Sequence, residues 1–150
     1  MIVLKEMSPS PLIDQVELNP FITREELASH CATAGIAMEA YSPLTKGVKL
    51  ADPTVVAIGA AHGKSAAQVM IRWCLQVRAC SFVLQSAHLR VSECPRALQR
   101  GYIVIPKSSS PARIRENADV FDFALSGDEM ASLNALDEYL VTGWDPTRAP

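Results

Sequence analysis

Residues 101–123 read GYIVIPKSSSPARIRENADVFDF, and the parsing of this stretch decides the fold. Tyr102, Ile103, Val104 and Ile105 form a short apolar run rich in β-branched residues, which predicts a buried strand. Pro106 stops it, because proline has no N–H to give a strand ladder. Lys107 to Ser110 make a polar turn, and Ser110-Pro111 predicts a helix N-cap with proline in the first helical position. Arg113, Glu116 and Asn117 are three and four residues apart, so they share a face near the start of that helix. A strand, a cationic hydroxyl-rich turn and a helix N-terminus together form an anion site. Free amides and the helix dipole attract phosphate, and Lys107 and Arg113 add full charges. No Asp or Glu lies between Lys107 and Arg115, which keeps the turn positive. An ordinary surface loop with one Lys and one Arg has the same residues, and both readings stay open on this stretch alone.

Working outward, the pattern alternates. Met1 to Met7 reads as a helix end, broken by Ser8-Pro9-Ser10-Pro11. Leu12–Leu18 reads as a strand with Ile13, Val16 and Leu18 apolar, ended by Asn19-Pro20. Thr23 with Glu26 fits a capping box, Leu27, Cys31 and Ala34 make an apolar stripe, and Gly35 suits a C-cap. Ile36–Tyr41 is a second strand, followed by a loop through Ser42-Pro43-Leu44. Asp52-Pro53 starts a helix that stops near Gly63. Ser65 with Gln68 opens the next, through Val69, Ile71, Trp73 and Leu75. Beyond the helix at Pro111, Val120–Phe123 reads as a brief strand. Ser126 with Glu129 caps a helix carrying Met130, Leu133, Leu136 and Leu140. Strands alternating with helices predict an α/β fold with parallel strands and helical crossovers.

Composition narrows the function. A chain of 150 residues is long enough for one domain with a core. A net charge of −2 argues against nucleic acid and anionic membrane as partners. No apolar run is long enough to span a bilayer, and MIVLKEMSPSP lacks the apolar core of a signal peptide. Cys31, Cys74, Cys80 and Cys94 show no CxxC spacing. They read as reduced thiols of a cytoplasmic protein and not as zinc ligands.

The string IPKSSSPARIRENADVFDF closely resembles the C-terminal signature of the aldo-keto reductases. The resemblance implies an NADPH-dependent oxidoreductase that reduces aldehydes or ketones to alcohols. It assigns Lys107, Ser108 and Arg113 to the adenosine 2′-phosphate, with Arg113 also on adenine and Glu116 and Asn117 at the adenine edge. DQVELNPF resembles the family's fifth-strand motif NQVELHP, which gives Gln15 the nicotinamide carboxamide; Asp14 stands where the family usually has Asn. EAYSPL resembles its sixth strand, which puts the Tyr41 ring on the nicotinamide and Ser42 and Leu44 near the pyrophosphate. The implied fold is part of a (β/α)8 TIM barrel, strands five to eight with their helices, and ligands bind at the C-terminal strand ends. The family's Asp, Tyr, Lys and His tetrad precedes the strand that Leu12–Leu18 resembles, so no catalytic residue is assigned here. His30, His62 and His88 read as surface or packing residues.

Two features depart from the family. A half barrel leaves two sheet edges open, so either the sequence is a truncated gene model or another chain completes it. Residues 77–99 also interrupt the motif: without them the sequence reads RWCLQRGYIVIPKS, an unbroken match. The segment is a whole number of codons, starts with a Val codon (GT) and ends with a Gln codon that can be CAG. Those are intron borders, and a retained intron is the expectation; a lineage-specific insertion is the alternative. For the whole chain, the rival readings are a non-catalytic nucleotide-sensing or regulatory module and a gene-model fragment.

Overall fold

The structure, a computed structural model, describes residues 12–77 and 101–145. The elements run β1 (Ile13–Glu17), α1 (Glu25–Ala34), β2 (Ala37–Tyr41), a 3₁₀ turn (Thr45–Gly47), α2 (Pro53–His62), α3 (Ala66–Gln76), β3 (Ile103–Val104), α4 (Pro111–Ala118) and α5 (Gly127–Asn134). The three strands form one parallel sheet in chain order. Ile13 pairs with Ala37 and Glu17 with Tyr41, while Ala40 pairs with Val104. This is the predicted topology for strands joined by helical crossovers.

Period-two alternation gives the sheet two unlike faces. Met38 and Ala40 are buried with Leu18 against Cys31, Val69, Met70, Trp73 and Cys74 from the helices. The other face carries Ile13, Gln15, Glu39 and Ile103, and Ile13 is 52% exposed there and Ile103 43%. Among the described residues helices therefore cover one face, as they cover the outside of a barrel.

Local signals placed the helix starts well, with one exception. Asp52 accepts from the amides of Thr54 and Val55, and Ser65/Gln68 and Ser126/Glu129 form complete capping boxes. Thr23 does not cap α1. Its amide and hydroxyl both donate to Asp137 from the far end of the chain, and α1 begins after Arg24 in a left-handed conformation, φ 52°. Helix α5 ends at Asn134, so Leu136 and Leu140 reach the core from beyond it.

The strand expected at Val120–Phe123 is absent, and the described sheet has three strands. The carbonyls it needs for a ladder face side chains instead. Asp119 O accepts from Gln68 Nε2 at 2.6 Å, and Val120 O from Arg72 Nη1 at 3.1 Å. Asp122 is paired with Lys64 at 2.8 Å, and Phe121 is 75% exposed. The segment is a clasp between α4 and helices α2 and α3.

Of residues 77–99, only Val77 lies within the described residues. Val77 closes α3 through its amide, which donates to Trp73 O. The chain resumes at Gly101, hard against the same helix end. Tyr102 N donates to Cys74 O at 3.0 Å, and a Cβ at Gly101 would lie 1.8 Å from Leu75 O. Departure and return are thus adjacent in space. Among the described residues no helix is long and apolar enough to cross a membrane.

Candidate cofactor site

The site begins where β3 ends. Ile105 N makes the last contact along the strand, to Ala40 O at 3.2 Å, and Pro106 can make none. The chain then turns through Lys107–Ser110. Ser108 Oγ accepts from the Ser110 amide at 3.2 Å, which shapes the turn, and Ser110 makes no side-chain cap bond to α4. Pro111 occupies the first turn of α4 and has no N–H to lose. The other first-turn amides have no partner within the helix.

A cleft of ≈ 720 Å³ opens in front of this turn. One wall is Lys107, Ser108, Arg113, Glu116 and Asn117. The opposite wall comes from the loop after β2, with Leu44, Lys46, Gly47 and Leu50, and from Val56 of α2. The first turn of α3 contributes Ser65 and the small side chains of Ala66 and Ala67. Three cations line the cleft against a single carboxylate, Glu116. Lys107 and Arg113 make no ion pair among the described residues, so their charge is available to an anion. Asn117, which also lines the cleft, is buried.

Six of the nine expected residues therefore meet in one cleft: Leu44, Lys107, Ser108, Arg113, Glu116 and Asn117. Gln15, Tyr41 and Ser42 do not line it. Gln15 sits on the open sheet face and donates from Nε2 to Glu39 Oε1 at 2.7 Å, its register partner on β2. Tyr41 ends β2 on that same face. Burial, then the nearby Glu17 carboxylate, push its phenol above the usual range. Ser42 has φ 49°, and its carbonyl accepts from the Asn19 amide side chain and from Thr45 N.

Seven lining residues of the cleft, Lys46 among them, escaped the sequence reading as site residues, and so did the contact of Glu17 with the tail. Lys46 lines the cleft in a left-handed conformation, φ 51°, directly after Thr45 at φ 50°. Left-handed β-branched residues are strained, and such strain concentrates at binding sites. Glu17 is 1% exposed and accepts from the amides of Thr142 and Gly143. No local pattern signals a contact with a segment that distant in the chain; the Lys46-Gly47 turn after a strand was the only available hint. The described histidines lie away from the cleft. His62 pairs with Glu129 at 2.8 Å and packs on Phe123.

A sequence profile described as the Aldo/keto reductase family matches residues 2–138. An uncharacterized oxidoreductase of Schizosaccharomyces pombe is 39% identical over 140 residues, covering 93% of this chain and 42% of that protein. Glyoxal reductase of Bacillus subtilis is 36% identical, covering 96% of this chain and 44% of that protein. A solved aldo/keto reductase from Brucella melitensis superposes with TM-score 0.67 at 37% identity, over 91% of this chain and 43% of that one. A Gox0644 variant, solved in complex with NADPH, gives TM-score 0.74 at 31% identity, over 99% of this chain and 47% of that one. The chain spans less than half the length of these relatives. With a match that runs through both strand motifs and the cleft, this chain belongs to the aldo/keto reductase family.

Proposed function

We propose that the chain is the cofactor-binding part of an NADPH-dependent oxidoreductase that reduces a small aldehyde or ketone to an alcohol. The observation that carries this reading is the cleft at the N-terminus of α4, with Lys107 and Arg113 on one wall making no ion pair among the described residues. Its residues fit the adenosine end of NADPH. A doubly charged phosphate placed there meets two cations, hydroxyls and first-turn amides, while Glu116 and Asn117 offer an acceptor and an amide to the adenine edge. The NADPH bound to the Gox0644 variant supports the choice of cofactor.

When bound, NADPH supplies the hydride. The work of this chain's residues is to bind and orient. Arg113 and Lys107 hold the phosphate, and Tyr41 presents its ring where the nicotinamide stacks. Gln15 reaches the carboxamide after turning away from Glu39. The proton donor comes from strands that precede β1 in the family, supplied by further sequence or by another chain that completes the barrel. No nucleic acid or membrane takes part, and the site of action is the cytoplasm.

Fluorescence titration of the full chain with NADPH and NADH tests this. Two or three charge-assisted contacts at roughly 1.5–3 kcal/mol each, discounted for exposure, favour NADPH by about two orders of magnitude. Arg113→Ala and Lys107→Ala each weaken NADPH and leave NADH nearly unchanged, and the loss shrinks at high salt. Equal losses for the two cofactors would mean these side chains support the fold or the common part of the dinucleotide.

A further inference from the structure

Two helices that line the cofactor cleft, α3 and α4, are also tied to each other. The first turn of α3 brings Ser65, Ala66 and Ala67 to the cleft, and α4 brings Arg113, Glu116 and Asn117. The distance between these helices decides which ligand can touch both. Each helix satisfies its own backbone, so side chains must fix that distance.

Three donors do so. Gln68 and Arg72 are four residues apart on one face of α3, and Lys64 precedes Gln68 by the same spacing, at the corner between α2 and α3. Lys64 Nζ reaches Asp119 Oδ2 at 2.9 Å and Asp122 Oδ2 at 2.8 Å. Gln68 Nε2 donates to Asp119 O at 2.6 Å and to Asp119 Oδ2 at 3.3 Å. Arg72 Nη1 donates to Val120 O at 3.1 Å. The donors are themselves held. Lys64 N donates to Gly59 O at 2.8 Å, and a Cβ at Gly59 would lie 2.5 Å from Lys64 O, so the corner is packed hard on α2. Gln68 is buried, and its Oε1 accepts from Ser65 N. Lys64 Nζ and Arg72 Cζ lie 5.6 and 5.9 Å from the centre of the Phe123 ring. Asp119 caps α4 two residues beyond Asn117, which is buried and lines the cleft. A shift at the clasp therefore reaches the cleft within one turn of helix.

We propose that Lys64, Gln68 and Arg72 are positioning residues that set the gap between α3 and α4, and so fit the cleft to a ligand that touches both helices. On the cofactor reading, on which this rests, that ligand is the adenosine end of NADPH. A free phosphate needs only the turn at Lys107–Ser110 and the start of α4. The three donors act through Asp119, Val120 and Asp122 and touch no ligand. A bound ligand that bridges the helices and the clasp that spaces them stabilise each other.

The test titrates the full chain with NADPH by fluorescence and with inorganic phosphate by ³¹P NMR. Gln68→Met, which leaves the charge unchanged, weakens NADPH about tenfold and inorganic phosphate by less than about twofold. Lys64→Met weakens NADPH about fivefold, and Lys64→Arg restores most of that loss. Asp122→Asn weakens NADPH about twofold. Lys64→Met removes a positive charge and Asp122→Asn a negative one, which separates geometry from charge. A long-range charge effect would weaken NADPH in the first and strengthen it in the second, whereas positioning weakens it in both. Opposite signs in these two variants would overturn the inference. Equal weakening of NADPH and phosphate by Gln68→Met, or no weakening of NADPH by any variant, would overturn it as well. If Gln68→Met does not fold, Lys64→Met and Asp122→Asn, which keep the capping box of α3, decide alone. A wild type that binds no NADPH would remove the cofactor reading and the inference with it, a result distinct from one in which wild type and variants bind NADPH alike.

Discussion

Asp14 and Cys31 show how a single departure from the family motif is accommodated. Asp14 replaces the usual Asn, yet it points to the helix side of the sheet, where its Oδ2 receives the Cys31 thiol at 3.8 Å. The substitution therefore leaves the open face and Gln15 untouched. Burial first, then the Asp14 charge, push the Cys31 thiol from about 9 up to about 11. The folded state keeps a proton that the unfolded state loses, so stability falls as pH rises from about 9 to about 11 and is unaffected by this group below that window. Urea midpoints at pH 8 and 10.5 measure this slope, which is shallower in Cys31→Ala; a residual slope of the same sign comes from Cys74, whose thiol burial also raises. At this scale the cleft residues from Lys107 to Asn117 were legible, because they sit in one contiguous string whose turn and helix chemistry is local. Gln15 was legible as a residue but not in its pairing, since its contact with Glu39 depends on the register between two strands.

Among the elements, α4 is held at its far end by groups that no motif announces. Gln68 closes the capping box of α3 by accepting from Ser65 N, and the same amide donates to Asp119 at the C-cap of α4. Lys64 adds contacts to Asp119 and Asp122, which raise its own pKa and lower that of Asp122. Gln68→Ala loses a cap and a buried hydrogen bond together, an expected destabilisation of about 2 kcal/mol by urea denaturation. A loss within a few tenths would show that Asp119 is held by Lys64 alone. The same clasp explains the strand that is not there: Val120–Phe123 has the composition of a strand, but the Val120 carbonyl is taken by Arg72 of α3 and Asp122 by Lys64 between α2 and α3. Thr23 failed as a cap for a similar reason, a competing partner at Asp137 far along the chain. Capping boxes at Ser65 and Ser126 succeeded because both partners are within one turn. The segment 77–99 leaves and rejoins at one point, between Val77 and Gly101 at the end of α3. We propose that the segment is an addition to the chain, absent when Gln76 is joined directly to Arg100. Transcript sequencing is expected to show spliced reads without this segment, and uniform coverage through it would favour a true insertion.

Among the described residues, the sheet has helices on one side and isoleucines on the other. Ile13, Ile103 and Ile105 remain exposed, and strands β1 and β3 are both edges among the described residues. A parallel sheet with helices on one face fits part of a (β/α)8 barrel wall, and the cleft lies at the carboxyl ends of the strands, where that architecture puts its chemistry. The parallel order was legible because helices between strands force it. The tail's return to Glu17 was not, because it joins the two ends of the described chain. The most direct test of the account is ³¹P NMR of NADPH titrated with the full chain. The 2′-phosphate resonance is expected to shift, and its pKa, about 6 when free, to fall as Lys107 and Arg113 favour the dianion. A 2′-phosphate that titrates as it does in free solution, while the chain binds NADPH, would contradict it.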